Sequence, residues 1–245
     1  MYHLAVVDTP LTPLQSDLVA MLESMRRAER ALFDEVPSDA REQPGAIGEW
    51  SVKDVRAHLA AWRAIEARRL GARAAADGAE SVEDPEPDVP IDEANAMLHD
   101  RHAGWSWDTV AAEADASVDA LIAAVELSST DVLCECDDWS VAGIGANGVT
   151  HAVGHLPEIA EVADGEAHFV VFAREIETIL GGGHLPPRDS GVILYNIACA
   201  RALSGDLDHA RRLLPQAFAR RHELRELAPR DPDLVALHDE MATLA

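Results

Sequence analysis

From Pro13 onward the apolar residues Leu14, Leu18, Met21, Leu22, Met25, Ala28 and Leu32 return every three or four positions. That spacing puts them on one face of a helix with 3.6 residues per turn. The pattern recurs with Val52, Val55, Leu59, Trp62 and Ile65, and again with Val149, Ala152, Ile159 and Val162. Sustained Val/Ile/Thr alternation, which strands need, is missing, and Ala, Leu, Arg and Glu, all good helix formers, dominate. A helix with one apolar face is stable only when that face is covered. The chain is therefore expected to be all-α. Its 245 residues suffice for one large domain, or a medium one and a small one.

The first helix is expected from Pro13 to about Phe33, with Pro37 and Pro44-Gly45 marking a loop after it. Ser51 is a good N-cap for the second, with Asp54 at its third position, and this helix fades near Gly71 to Gly78. The stretch Asp77 to Pro90 is acidic and proline-rich and reads as a linker. A third helix is expected from Asp92, as N-cap, through Met97 and His102 and on to about Leu127, with Gly104 as a bend. Asp137-Asp138-Trp139-Ser140 precedes a fourth helical region carrying His151 and His155 and ending near Gly165. One more helix, Ala167 to Leu180, stops at Gly181-Gly182-Gly183, the best domain boundary in the chain. Beyond it, helices are expected over Val192 to Leu203, Leu207 to Leu227 and Asp233 to Leu244, with Pro215 kinking the second or marking its start.

The net charge is −24 and Lys53 is the one lysine. So acidic a surface repels phosphate backbones and anionic lipid, which argues against nucleic acid and membrane as partners. No apolar run reaches the roughly 18–20 residues of a membrane span. Met1 to Pro10 lacks the basic and apolar regions of a signal peptide. Cys134 and Cys136 are too close for a comfortable disulfide and Cys199 is left over, so a reducing cytoplasm fits best. Thiols in a loop explain the first two, and core packing explains Cys199.

Three histidines carry the chemistry. His58 sits among Val55, Leu59 and Trp62 and so faces the core, while His151 and His155 stand one helical turn apart, four residues along the chain. Two imidazoles so placed can grip one metal ion, and a third from a facing helix leaves a coordination position open, as in catalytic sites. Burying neutral imidazole without partners is costly. A metal takes one nitrogen, and an acceptor such as Glu158, Glu66 or a backbone carbonyl takes the other. Residue 152 is Ala, so the zincin motif is excluded. Glu158 and Glu66 are weak candidates for a base or a fourth ligand; a solvated helix face or a salt bridge explains each of them better. Some of Trp50, Trp62, Trp105, Trp107 and Trp139 could line a pocket over the metal, with Trp62 assigned to the core.

The run Gly48-Glu49-Trp50-Ser51-Val52-Lys53-Asp54-Val55-Arg56-Ala57-His58-Leu59-Ala60-Ala61-Trp62 resembles the second-helix signature of the DinB-like four-helix bundles, closest to the ClbS/DfsB branch. Ile91-Asp92-Glu93-Ala94-Asn95 resembles the start of that branch's third helix, and Thr150-His151-Ala152-Val153-Gly154-His155-Leu156-Pro157-Glu158-Ile159 its last. The resemblance covers residues 11–180. It implies a divalent metal, zinc or nickel first and iron or manganese next, held by His58, His151 and His155. It also implies a small electrophilic or thiol-conjugated substrate. Members include isomerases and transferases that use low-molecular-weight thiols, and a resistance protein that opens a strained ring by hydrolysis. Gly154 stands where relatives often carry Glu, which weakens the transfer of an acid–base role but not of the ligands.

Residues 184–245 resemble a single tetratricopeptide repeat, on Leu194-Tyr195-Asn196-Ile197-Ala198-Cys199-Ala200, Gly205-Asp206, His209-Ala210 and Asp231-Pro232-Asp233-Leu234. Ala198, Ala202 and Ala210 permit close helix packing, but one repeat cannot bury its own face. Its neighbour is expected to be the helix before Gly181, the last short helix or another subunit. The expectation is an antiparallel four-helix bundle with a small helical appendage, acting as a metal-dependent hydrolase or thiol transferase. The rival is a binding or scaffold protein whose repeat docks a protein partner. Ala-rich helix faces also permit a homodimer.

Overall fold

A computed structural model describes residues 10–74, 89–134 and 141–244. Among them every regular element is helical, and the one β feature is an isolated bridge between Ile47 and Trp50. The parts of the sequence reading that rest on residues 1–9, on most of the acidic linker, on Asp137 to Ser140 and on Cys136 lie outside the described residues.

Helix α1 spans Pro13–Glu35 and begins at a capping box. Thr12 Oγ1 accepts from the Gln15 amide and Gln15 Oε1 accepts from the Thr12 amide. The two side chains thus satisfy amides that a helix start leaves open. The face read from the sequence is the buried one, with Leu18, Met21, Leu22, Met25, Leu32 and Phe33 out of solvent. Helix α2 spans Val52–Ala74 and opens as expected at Ser51. Its hydroxyl accepts from the Asp54 amide, and Asp54 Oδ2 accepts from the Ser51 amide and hydroxyl.

The expected long third helix is two helices. Helix α3 is Ile91–His102 and helix α4 is Trp107–Leu127. Ser106, with extended backbone, caps α4 by accepting from the Thr109 amide, so the chain restarts there and does not merely bend at Gly104. Nor is Asp92 the cap of α3; that place is held by Pro90, without a side-chain bond.

A short helix α5, Thr130–Cys134, follows. Then α6 (Val141–Gly145), a wide turn at Ala146–Thr150 and α7 (His151–Ala163) run on from one another. In the wide turn the amide of His151 donates to the Ala146 carbonyl, five residues back, a π-type bond that is common at functional sites. Helix α8 is Glu166–Gly181. Helix α4 lies along α2, α1 packs on α4, α7 and α8, and α7 also touches α2.

After Gly181-Gly182-Gly183 come α9 (Pro187–Leu203) and α10 (Leu207–Arg220). The first begins earlier than expected because Pro187 fits a first helical position. The second stops at Arg220, and Pro215 is accommodated inside it. The four-residue helix α11, Leu224–Leu227, is separate. The last segment is mostly tight 3-10 helix over Pro232–Glu240, opened by the Asp231 side chain, with α12 (Met241–Leu244) after it. The neighbours of α9 include α7 and the 3-10 segment. Arg201 donates to the Val170 carbonyl, and His209 Nε2 lies 2.7 Å from Glu177 Oε1, which ties α9 and α10 to α8. One hydrophobic cluster runs from Leu14 to Met241, and Cys199 is buried in it.

Candidate metal centre

Helices α2 and α7 bring His58, His151 and His155 together, with one ring nitrogen from each within 4.8 Å of the others. The Nε2 atoms of His58 and His151 are 2.8 Å apart. The His58 ring meets those of His151 and His155 edge-on, at centroid distances of 4.6 and 5.9 Å. His58 is 7 % exposed. His155, expected to face the core, keeps 26 % of its side chain in solvent. The cluster thus sits at the rim of the packed interior, with its third imidazole within reach of a ligand.

Burial, together with the neighbouring rings of His151 and His155, pushes the pKa of His58 down to about 3. Burial, His155 and the Arg63 guanidinium push that of His151 down to about 4. Both rings are therefore neutral near pH 7 and carry lone pairs. Three imidazoles converging from two helices are a donor set that suits a divalent ion of borderline softness.

Glu158 Oε2 lies 3.1 Å from His155 Nδ1. This is the acceptor expected behind a ligand histidine, and it leaves the other ring nitrogen to the cluster. His58 has no such partner: its Nδ1 is buried and unbonded, and its ring meets that of Trp50 in a T-shaped contact, 4.8 Å between centroids.

Glu66 is not brought to the histidines. It stands two turns beyond His58 on α2, about 12 Å of rise away, and accepts from Asn147 Nδ2 at 3.2 Å. Its carboxyl fills the space beside Gly143, where a Cβ would lie 2.5 Å from Oε1. Burial raises its pKa to about 7, against the opposing pull of Asn147, Arg69 and Arg73.

Sequence reasoning named Trp50 but did not find its second neighbour. The indole stacks on His99 of α3 at 5.6 Å, and His99 Nε2 is 3.8 Å from Asp54 Oδ2. Trp62 donates from Nε1 to Asn95 Oδ1 and, half-buried, packs on a small cluster of Ala61, Ile65 and Leu98. Arg63, wholly buried, was also missed; it pairs with Glu29 and reaches Ser117. Nothing in the local sequence marks these contacts, since each joins elements far apart in the chain. No helix among the described residues is long and apolar enough to cross a membrane. In comparison with models of known families, with curated proteins and with solved structures, nothing matches the chain.

Proposed function

We propose that the chain is a metal-dependent enzyme of the DinB-like kind, acting on a small electrophilic or thiol-conjugated molecule. In this reading α1, α2, α4 and the α6–α7 run form the four-helix bundle, and residues 184–245 form a repeat-like appendage docked on α7 and α8. His58, His151 and His155 hold one divalent ion, zinc or nickel. The observation that carries the reading is the convergence of three imidazoles, two of them kept neutral by burial and by one another. Hydrophobic packing alone gives no reason to gather three polar rings in this way.

A divalent ion there supplies Lewis acidity, which polarises an electrophile and eases deprotonation of a water or thiol. The chain supplies the rest. Glu158 orients the His155 ring through Nδ1 and is a positioning residue. Trp50 braces the His58 ring and, with His99, forms an aromatic wall on the α3 side. The partial exposure of His155 marks the side from which a small molecule reaches the centre. Glu66 keeps a buried carboxyl with its pKa raised to about 7, bonded to Asn147 one helical turn before His151.

The test is turnover of an epoxide with and without a low-molecular-weight thiol. Ring opening by metal-loaded protein, lost on chelation and in His155→Ala, supports the reading. Equal turnover by His155→Ala contradicts it.

A further inference from the structure

The helix that carries His151 has a second face. Between its wide turn and the start of α9 lies a cavity of about 310 Å³, within the size range of small-molecule sites. Ala146, Val192 and Ile193 give it apolar walls, and Asn147 and Thr150 add polar atoms. Its charged lining is Arg188, Asp189 and Arg221. Two of these three are cations, and Glu223 is the further acidic group that interacts with both arginines. The first turn of α9, where Arg188 and Asp189 sit, adds the positive end of a helix dipole.

Arg221 is held at the cavity by close packing. Gly191 lets α10 approach α9 so nearly that a Cβ there would stand 3.1 Å from the Cβ atoms of both Arg220 and Arg221. The Arg221 ion pair with Glu223 is loose, 3.9 Å from Nε to Oε2, beyond hydrogen-bond length. A guanidinium so placed can turn to a stronger acceptor.

We propose that this cavity binds a small organic carboxylate, its apolar body against Ala146, Val192 and Ile193 and its head group on Arg221. The site is separate from the histidine cluster and does not depend on a metal there.

Titration with para-fluorobenzoate, followed by fluorine NMR, tests it on the full chain. Saturable binding is expected, weakened by about tenfold or more in Arg221→Ala, as for loss of a charge-assisted bond. Ala146→Phe, which fills the cavity from an exposed position, should abolish it, and para-fluorobenzylamine should not bind. Circular dichroism checks that the variants fold, and Arg221→Gln replaces Arg221→Ala should the latter not fold. Binding unchanged in His155→Ala separates this result from the fate of the metal centre. Absence of saturation in the wild type, equal binding of the amine, or undiminished binding in both cavity variants would overturn the proposal.

Discussion

The Nε2 atoms of His58 and His151 face each other at 2.8 Å across the α2–α7 contact. Two neutral imidazoles at that distance either share one proton, donor to acceptor, or turn two lone pairs toward a common cation. Either arrangement leaves His58 Nδ1 buried without a partner, so that atom does not decide between them. The second also engages His155, whose ring Glu158 already orients.

Glu158→Gln removes the carboxylate behind His155 and leaves the ring in place. Loss of such a partner costs about 10–100-fold in metal affinity. Competition against a chromophoric chelator measures this, and unchanged affinity would remove Glu158 from the account.

Stability of the chelator-treated protein should depend on pH in a defined sense. His58 and His151 have folded pKa values of about 3 and 4, below the ordinary 6.5. Between those values the unfolded chain binds the extra protons, so stability falls as pH drops from 6.5 toward 4. Glu66 works the other way: its pKa of about 7 lies above the ordinary 4.5, so its contribution is present at low pH and lost as pH rises through 7. Two histidines outweigh one carboxyl, so urea midpoints should climb from pH 4 to 6.5. Glu66→Gln should steepen that climb and gain on the wild type at pH 8. A flat profile in both proteins contradicts these assignments.

Gly143→Ala places a Cβ 2.5 Å from Glu66 Oε1. Overpacking of this kind costs about 1–3 kcal/mol. Glu66→Ala should relieve most of that cost, and a double-mutant cycle reads the coupling. Additive effects would mean that the two positions do not touch.

Arg63 and Glu29 form an ion pair with both side chains almost wholly buried. Removing one partner strands a charge, at about 3–5 kcal/mol. Glu29→Ala should show that loss in denaturant unfolding. A replacement of both residues by apolar ones should recover much of it.

Local signals made the helices legible. The α1 face and the Ser51–Asp54 box at α2 follow from spacing and capping chemistry, and both are present. The break between α3 and α4 was missed because apolar spacing can continue across a gap; Ser106, a good N-cap three residues before Thr109, was the signal that resolves it. The histidine grouping was legible because spacing sets His151 against His155 and the apolar neighbours of His58 aim it inward. The partial exposure of His155, the His99–Trp50 stack and the wide turn at Ala146–Thr150 were not. Each depends on where a second element lies, and no single-helix pattern encodes that.

The central claim is that His58, His151 and His155 hold one metal ion. Elemental analysis by mass spectrometry, on protein purified without tag or added metal, tests it directly. About one equivalent of a divalent metal is expected for a single site, with most of it lost in each of His58→Ala, His151→Ala and His155→Ala. Full occupancy in all three variants, or a wild type that holds no metal and takes up none on titration, would contradict it.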